Sequence, residues 1–402
     1  MKKIFYITSR APVSYAGREY MIKQNIEFLT GMGYSVELFF LDNNKIEHID
    51  NVSVIHQFPR PSIKSIIKNS LFLTGKSFQE RLFYSQEGKR YITKYLAEHS
   101  FDFVLVDMVR MAYLVENYKG KKLLEYDDLL SMRYQRMSEQ FNDKINLLGT
   151  YSEKYPLFIT SLIKPFRKIV LGLESKLIGI REIELANKFD AISFTSPVEA
   201  SVFSKRSGIG IVYYNPPAVD IKLPRMKIGP DKASFCLLGN MKANHNLASL
   251  QEIVKIFNHE IMLEKNISIS IYGDYDERAV EICKTVPNVH LKGAVSSVSE
   301  VFETANCLVA PIPFGSGIKV KIIEAMNYGA LVVTNDIGAE GIGLTANKNF
   351  IKCNSIEEFR NKLISINNDL IRYSEIAGKG CEYIRNNFSY EVVQNNLRSM
   401  FN

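Results

Sequence analysis

At 402 residues the chain is long for one hydrophobic core and suits two α/β domains, because a single core rarely grows past about 250–300 residues. Its composition, 46% hydrophobic and 23% charged, is that of an ordinary folded protein, and no window approaches the about 18 uninterrupted apolar residues of a membrane span. The net charge of +7 is concentrated in residues 1–220, where 30 Lys and Arg residues stand against 24 Asp and Glu residues. That excess favours an anionic neighbour or a solvated face, and the sequence lacks the Arg-rich or aromatic-basic array of nucleic-acid binding.

Cysteine usage and the N-terminus both indicate a reducing compartment. No pair of cysteines has C-x-x-C spacing, two of them lie in apolar runs typical of strands, and all five fall in the second half: Cys236, Cys283, Cys307, Cys353 and Cys381. This favours reduced core cysteines over a disulfide framework or a zinc site. The apolar run after the basic N-terminus is too short for a signal peptide, so we expect a cytoplasmic protein.

The first half alternates strands with helices. The pattern predicts helices over 18–32 and 86–98, a long helical insert at about 137–185, and strands at 3–8, 35–41, 52–56, 103–106, 122–126 and 191–195. This βαβ rhythm is typical of a doubly wound parallel sheet.

The segment Y-Y-N-P-P-A-V-D at 213–220 predicts a linker, because two prolines cannot continue a strand or a helix. The rhythm then restarts, with strands predicted at 234–238, 267–272, 289–292, 307–311 and 331–335 and helices at 246–257, 277–284, 298–305 and 319–328. We therefore predict two Rossmann-like, doubly wound parallel-sheet domains, 1–215 and 216–384, followed by a closing helix at 385–402. The carboxyl ends of the two sheets, where such folds bind ligands, can face each other across a cleft.

One segment of the second half carries the clearest chemical pattern, A-P-I-P-F-G-S-G-I-K-V-K-I-I-E-A-M from residue 310. A strand ends, a loop with Gly315 and Gly317 follows, and a helix begins, which is an arrangement that suits an anion. Lys319 adds a cation in the first turn, and Glu324 points away from the face on which the pattern places Ile318, Ile322, Ala325 and Met326. A tight structural loop with a solvated pair between Lys321 and Glu324 explains the pattern about equally well.

This segment resembles the donor motif of retaining GT-B glycosyltransferases of the family 4 type (glycosyltransferase group 1), in the bacterial surface-polysaccharide branch with G-S-G-I-K-x-K-x-x-E-A-M. The resemblance implies that Glu324 binds the ribose hydroxyls of a nucleotide-sugar. It also implies that Lys319 and the loop Gly315, Ser316 and Gly317 lie near the diphosphate. Ser316 occupies the position at which many relatives carry a glutamate that contacts the donor sugar.

The resemblance extends over most of the chain. L-L-G-N-M-K-A-N-H-N, at 237–246, is similar to the family's entry to the donor domain, which implies that Gly239 and Asn240 bind the donor. Lys242 is a weak substitute for the Arg and Lys pair that many relatives use on the diphosphate. R-A-P-V-S-Y-A-G-R-E-Y, at 10–20, resembles the N-terminal glycine loop and assigns donor contact to Gly17.

Strand ends of the first half supply the remaining candidates. Asp107, Arg110, Asp127 and Asp128 follow strands that look like the family's cleft-facing strand ends, and we expect them to handle the acceptor. Asp107 and Arg110 join Lys319 and Glu324 as predicted catalytic residues. Solvated strand-end charges and helix caps are an equally good interpretation of each of the four.

Three other motifs carry less weight. The D-Y-D at 274–276 could bind metal, but such turn aspartates are common. The T-G-K-S at 74–77 lacks the upstream glycine of a P-loop, and no G-x-G-x-x-G follows the first strand. His245 is the one histidine in a motif expected to face the cleft, and a helix-start position is favoured over a ligand role.

The resemblance implies a retaining, hexosyltransferase-like glycosyltransferase that moves a sugar from a nucleotide-sugar to a saccharide or lipid-linked acceptor in polysaccharide biosynthesis. Glycine loops, helix N-termini and Lys319 can stabilise the leaving diphosphate, so we expect neither a metal nor a cofactor. The segment 155–173 mixes apolar and basic residues and suggests peripheral contact with the inner face of the plasma membrane, although packing on its own domain is favoured. Because of Ser316, a nucleotide-sugar-binding partner subunit that has lost transfer activity remains the alternative.

Overall fold

The computed structural model describes residues 2–13, 17–73, 75–139, 167–210, 212–221, 232–315 and 317–401. The chain divides into two compact units, the first formed by residues 1–215 and 396–402 and the second by residues 216–395. Each unit is built on a parallel sheet flanked by helices. The predicted fold class, two Rossmann-like α/β domains, is therefore confirmed.

The first unit contains a seven-stranded parallel sheet in its described residues, in the order β3-β2-β1-β4-β5-β6-β7. Its strands are β1 (Lys2–Ile7), β2 (Tyr34–Leu41), β3 (Val54–Phe58), β4 (Phe103–Asp107), β5 (Lys122–Glu125), β6 (Ala191–Phe194) and β7 (Tyr213–Tyr214). Its helices are α1 (Gly17–Gly31), α2 (Ile63–Phe72), α3 (Phe78–Phe83), α4 (Gln86–Glu98), α5 (Leu130–Glu139), α6 (Arg167–Ala186) and α7 (Pro197–Ser207), with a 3₁₀ turn at Val109–Leu114.

The centre of this sheet is formed by strands whose residues are buried on both faces. β4 is buried along its whole length, and β1 is buried from Ile4 onwards, which explains their continuous apolar sequences. β1 pairs with β2 on one side and with β4 on the other, and β4 continues into β5 so that Asp107 lies opposite Glu125. The register therefore brings two carboxylates together at the carboxyl edge of the sheet.

The second unit contains a six-stranded parallel sheet in its described residues, in the order β10-β9-β8-β11-β12-β13. Its strands are β8 (Phe235–Leu238), β9 (Ile269–Tyr272), β10 (Val289–Gly293), β11 (Cys307–Ala310), β12 (Leu331–Thr334) and β13 (Ile351–Lys352). Its helices are α8 (Asn244–Phe257), α9 (Glu260–Glu264), α10 (Glu277–Cys283), α11 (Val298–Thr304), α12 (Val320–Asn327), α13 (Asp336–Ala339), α14 (Ile356–Asn368), α15 (Ser374–Phe388) and α16 (Tyr390–Ser399), with a 3₁₀ turn at Ile371–Tyr373.

Helices cover both faces of the second sheet, and alternate side chains of each strand point to opposite cores. On β8, Leu237 packs with Ile253 of α8 in one apolar cluster, while Cys236 packs with Ile322 of α12 in the other. All five cysteines are free thiols, and four of them are buried. The reduced core cysteines expected from the sequence are thus present in the structure.

Three predicted segments deserve comparison with the structure. Of the helical insert at 137–185, residues 140–166 lie outside the described residues, and α5 and α6 flank that gap. The predicted linker at 213–220 begins with a short edge strand, since Tyr213 and Tyr214 pair with β6.

The predicted closing segment at 385–402 starts within α15 and contains the last helix, α16. Phe401 follows α16, and its ring lies 5.0 Å from that of Phe103 and 5.8 Å from that of Tyr34.

Candidate functional site

The predicted donor motif begins where β11 ends and continues into α12. Lys319 is the N-cap of this helix, in an extended conformation, one residue before the first helical residue. Ile322, Ile323, Ala325 and Met326 are buried in the apolar cluster beneath α12, whereas Glu324 is half-buried on the other side of the helix. The apolar side of α12 therefore fixes the helix and leaves Glu324 partly accessible.

The loop before α12 is held in conformations that favour glycine. Gly315 and Gly317 have φ angles of 136° and 68°, and Ser316 between them lies outside the described residues. The Lys319 Nζ donates a hydrogen bond of 2.7 Å to the Gly317 carbonyl. This hydrogen bond holds the Lys319 ammonium group beside the glycine loop at the start of α12. The sequence predicts an anion-binding site at the same place.

Lys321 and Glu324 are not the solvated pair that the sequence left open. Both side chains are half-buried, and the Lys321 Nζ donates a hydrogen bond of 2.7 Å to the Asn246 Oδ1. Burial raises the pKa of Glu324 to about 7, against the lowering effect of Lys321. Burial lowers the pKa of Lys321 to about 8 although Glu324 acts in the opposite direction. Both groups therefore titrate close to neutral pH.

Asn246 connects α12 to the turn that follows β8. Its Nδ2 donates a hydrogen bond of 2.9 Å to the carbonyl of Asn240, one of the predicted donor contacts. Gly239 has a φ of 153°, and a Cβ on it would lie 2.9 Å from the Asn246 side chain. A Cβ on Gly273, at the end of β9, would lie 2.0 Å from the Gly239 carbonyl oxygen. These turns are in backbone contact, which side chains larger than hydrogen would prevent.

Basic groups gather at the start of α8 and α12. His245 lies in the first turn of α8, as expected for a helix-start residue, and its pKa is lowered by desolvation and by the charges of Lys321 and Lys319. Lys242 is turned towards Asp274 instead, with 3.9 Å between Nζ and Oδ2. The His245 imidazole and the ammonium groups of Lys319 and Lys321 thus lie near the starts of two helices. Together with the glycine turns, they make an environment that suits an anion.

The D-Y-D segment has a structural explanation. Asp276 is the N-cap of α10, where its side chain accepts a hydrogen bond from the backbone N–H of Arg278. The guanidinium of Arg278 also binds the Asp276 carboxylate at 2.7 Å. Among the described residues, no group of three or more His, Cys, Asp or Glu side chains is arranged to hold a metal ion.

In the first unit, the carboxyl ends of β4 and β5 surround one buried arginine. The Arg18 Nε lies 2.6 Å from the Asp107 Oδ1, and its Nη2 lies 3.0 Å from the Glu125 Oε2. The Nη1 reaches the Asp127 Oδ1 at 3.3 Å. Arg18 follows Gly17, the predicted donor contact, which is the first residue of α1. We call Arg18, Asp107, Glu125 and Asp127 the strand-end cluster.

Glu125 is the best partnered member of this cluster. Its Oε2 also accepts hydrogen bonds from the Tyr6 hydroxyl at 3.1 Å and from the Asn25 Nδ2 at 2.8 Å. Its Oε1 accepts one from the Asn215 Nδ2 at 2.8 Å. Burial raises the pKa of Tyr6 well above its usual range, so the phenol stays protonated and donates.

Arg110 and Asp128 lie away from the strand-end cluster. Arg110 is buried, donates from Nη1 to the Gln79 Oε1 at 2.9 Å and packs its guanidinium over Phe83. Asp128 is buried in an ion pair with Arg133. Of the four strand-end residues proposed from the sequence, the structure brings Asp107 and Asp127 together, whereas Arg110 and Asp128 make separate interior contacts and are not the solvated charges that were the alternative.

Each site contains several residues that were not predicted from the sequence. In the first unit these are Tyr6, Arg18, Asn25, Glu125 and Asn215, and in the second unit they are Asn246, Gly273 and Lys321 as a partner of Asn246. A signal existed for some of them. Arg18 and Asn246 stand inside the motifs already singled out, and Glu125 is a charged residue that follows two leucines at the end of a predicted strand.

Comparisons with known proteins show what the chain is similar to in sequence and in fold. Residues 232–369 match the family model described as Glycosyl transferases group 1. Over 98% of its length the chain is 21% identical to an uncharacterised 44.6 kDa protein in the cps region of Klebsiella pneumoniae, of which 98% is covered.

Solved structures with a similar fold include the following two. Sucrose-phosphate synthase from Thermosynechococcus elongatus aligns with 14% identity and a TM-score of 0.65, over 100% of this chain and 98% of the other. TarM from S. aureus, in complex with fondaparinux, α-GlcNAc-glycerol and UDP, aligns with 12% identity and a TM-score of 0.63 over 100% of both chains. The fold is GT-B, as predicted from the sequence. With the family match to the second unit, it supports a glycosyltransferase.

Proposed function

We propose that this protein is a retaining glycosyltransferase that moves a sugar from a nucleotide-sugar to a saccharide or lipid-linked acceptor, without a metal, in the assembly of a surface polysaccharide. The observation that carries the proposal is Glu324, a half-buried carboxylate on the helix that follows the glycine loop. It lies inside the region that matches the glycosyl transferase family model. TarM, of similar fold, is described in complex with UDP, which supports a nucleotide-sugar as donor.

Glu324 is suited to a pair of vicinal hydroxyl groups. A carboxylate is an acceptor with two oxygens, so it can accept one hydrogen bond from each ribose hydroxyl. Its partial burial makes these bonds stronger than they would be in water. In this proposal Glu324 holds the ribose and the reacting bond lies further along the donor.

The diphosphate is then stabilised by groups at the start of α12 and α8. Backbone N–H groups of the loop containing Gly315 and Gly317, together with the positive end of α12, suit a diphosphate. Lys319 at the N-cap adds a positive charge beside the same loop. Charge on the departing diphosphate can be stabilised in this way without a metal, and the leaving phosphate itself can take the proton of the acceptor hydroxyl.

We assign the acceptor to the first unit. Asp127 is the member of the strand-end cluster with the most accessible side chain, 24% exposed, whereas those of Asp107 and Glu125 are buried. The sequence predicted Asp107 as a catalytic residue, but it is completely buried against Arg18. We therefore propose that Asp107 supports this site and does not touch substrate. The buried contacts of Arg110 and Asp128 favour structural roles for both residues.

Cytoplasmic location with peripheral membrane contact is part of the proposal. Of the segment 155–173, residues 155–166 lie outside the described residues, while Ile169 and Leu173 on α6 are 70% and 57% exposed beside the exposed Lys168. Within the described ranges the structure contains no helix with the length and apolarity of a membrane span. Co-sedimentation with anionic liposomes at low salt tests the contact, and failure to sediment would exclude it.

Donor binding by Glu324 variants tests the central assignment. Calorimetric titration of wild type with UDP-, GDP- and other activated sugars first identifies the donor. Glu324→Ala should then weaken its binding by about 2–3 kcal/mol, or roughly 30- to 150-fold, if the carboxylate accepts charged hydrogen bonds. Glu252→Gln, which changes a half-buried carboxylate paired with Lys255 in the same unit, is the control. Unchanged donor affinity in Glu324→Ala would refute the assignment.

The alternative, a nucleotide-sugar-binding subunit without transfer activity, is motivated by Ser316. The position carries no carboxylate for the donor sugar, which is what the sequence leads us to expect of an impaired enzyme. Transfer or hydrolysis of the bound donor by the purified protein distinguishes the two. Binding without turnover of any donor and acceptor pair would favour the subunit.

A further inference from the structure

Arg18 balances an excess of negative charge in the strand-end cluster. One guanidinium contacts three carboxylates, at 2.6 Å, 3.0 Å and 3.3 Å. Burial lowers the pKa of Arg18, but Asp107, Asp127 and Glu125 outweigh it, and the pKa is raised well above its usual range. Arg18 therefore stays charged, and it is the common partner of all three acids.

Two of the three carboxylates hold the arginine in place. Asp107 is completely buried and uses Oδ1 on Arg18, while its Oδ2, also buried, accepts no hydrogen bond in the structure as described. Glu125 is fixed by Tyr6, Asn25 and Asn215 as well as by Arg18. Because Tyr6, Asn25 and Asn215 lie in three separate segments of the sequence and fix Glu125, the guanidinium has little freedom to reorient.

Asp127 differs from the other two. Its backbone has a φ of 67°, in the left-handed region that non-glycine residues rarely adopt. Its carbonyl accepts hydrogen bonds from the Thr195 N–H at 2.8 Å and from the Thr195 hydroxyl at 2.7 Å. Thr195 thus fixes the main chain, Arg18 contacts the carboxylate, and part of the side chain stays exposed.

Such strain is maintained where the surroundings enforce it, and it is concentrated at functional sites. A residue that only neutralised Arg18 would not need an exposed carboxylate in a strained conformation, since Asp107 and Glu125 already supply two buried charges. An ionised carboxylate accepts hydrogen bonds, and hydroxyl groups are what a saccharide offers.

Resting on the proposed function, we propose that Arg18 is a positioning residue that orients Asp127, and that the Asp127 carboxylate accepts a hydrogen bond from a hydroxyl group of the acceptor. Asp107 and Glu125 hold the guanidinium, and the guanidinium holds Asp127. The acceptor that this chemistry recognises is a polyol.

Asp127→Asn tests the contact with little risk to folding, because asparagine tolerates the left-handed backbone. Transfer from the donor identified by calorimetry is measured onto a panel of p-nitrophenyl and octyl glycosides. We expect kcat/KM for the acceptor to fall about 100-fold, as for a misplaced reactant, while donor affinity and thermal midpoint remain those of wild type. Unchanged acceptor kinetics would overturn the proposal, and so would equal losses in donor affinity.

Arg18→Lys and the double variant test whether Arg18 acts through Asp127. An ammonium cannot span three carboxylates, so Arg18→Lys should also lower kcat/KM for the acceptor. If Arg18 acts through Asp127, the double variant is no slower than the slower single variant, whereas multiplied losses contradict the proposal. Arg181→Lys is the matched control, since Arg181 is a buried arginine that binds Glu80, Glu116 and Glu184 elsewhere in the unit. A loss in Arg181→Lys as large as in Arg18→Lys would show a general effect and overturn it.

These outcomes separate the proposal from the function on which it rests. A wild-type protein that binds no activated sugar would refute the proposed function. A wild-type protein that transfers sugar, with an Asp127→Asn variant that transfers equally well, would refute only the role of Arg18 and Asp127.

Discussion

The two units make their polar sites in different ways. The strand-end cluster of the first unit is a set of side chains from distant parts of the chain, since Asp107 lies 89 positions and Glu125 lies 107 positions after Arg18. The site of the second unit is largely backbone, in which the turns at Gly239 and Gly273 touch and Lys319 is the N-cap of α12. Ion pairs between side chains hold the first site together. The second site is held together by backbone turns whose close contact requires glycine.

This difference predicts opposite sensitivities. A buried network of charges is damaged most when one charge is removed, because its partners are left uncompensated in a poorly solvated place. Turns in backbone contact are damaged most when an atom is added, because close-packed backbone cannot move aside cheaply. Three experiments test this contrast.

Removing Glu125 should have the largest effect. Glu125→Ala leaves Arg18, Tyr6, Asn25 and Asn215 without their shared acceptor, so we expect the first unit to lose about 3–5 kcal/mol of stability. Hydrogen exchange followed by mass spectrometry measures this locally, as faster exchange of peptides from β4 and β5. Glu47→Ala, which removes an exposed partner of Lys45, is the control in the same unit and should leave exchange unchanged.

Similar exchange in Glu125→Ala and wild type would mean that the cluster contributes no net stability. That result would refute the difference drawn between the two units, because ion pairs would not hold the first site together.

Adding one methyl group should have the next largest effect, in the second unit. Gly273→Ala places a Cβ 2.0 Å from the Gly239 carbonyl oxygen at a φ of 125°, so the two turns must separate. We expect a loss of about 1–3 kcal/mol and weaker donor binding. Thermal denaturation and calorimetric titration with the donor measure both.

Gly378→Ala is the matched control for Gly273→Ala. It adds the same methyl group inside helix α15, with no heavy atom of the described structure within 4 Å of the new Cβ outside the helix's own backbone. We expect it to be neutral or slightly stabilising. Equal tolerance of both substitutions would contradict a donor site made by backbone contact.

The difference between a site of distant side chains and a site of backbone turns explains which features could be predicted from the sequence. Strands, helices and the glycine loop of the second unit were predictable because they depend on local periodicity and on the special backbone of glycine. The partnership of Arg18 with Glu125 was not, because it depends on the order of β1, β4 and β5 in the sheet.

Arg110 and Asp128 show a second limit. Both follow predicted strand ends, but the direction of a side chain after a strand depends on the next backbone angles. Met108 has a φ of 73°, after which the 3₁₀ turn Val109–Leu114 carries Arg110 into the interior, towards Gln79 and Phe83. Asp127 likewise has a positive φ, and Asp128 after it turns inward to Arg133. Non-glycine residues in such conformations are not predictable from the pattern of apolar residues.

The smallest expected effect is the pH dependence of donor binding, which separates the charged part of the second site from its backbone part. The pKa of Glu324, about 7, lies above the ordinary value of 4.5, so the free protein increasingly holds a proton on Glu324 as the pH falls below 7. If Glu324 binds the donor ribose as proposed, the ribose hydroxyls need the ionised carboxylate as acceptor. Donor affinity should then fall by up to about tenfold per pH unit between pH 7 and pH 5.5.

Calorimetry in buffers of different ionisation enthalpy checks this, since donor binding near pH 6 should release a proton from Glu324. Stability has the opposite dependence: the contribution from the raised pKa is present below about pH 4.5 and is lost as the pH rises through about 7. Glu324→Gln cannot titrate at this position, so its weak donor binding should vary little over the same range. A wild-type affinity independent of pH would mean that backbone and lysine contacts alone hold the donor, and that the second site, unlike the first, makes no use of a carboxylate.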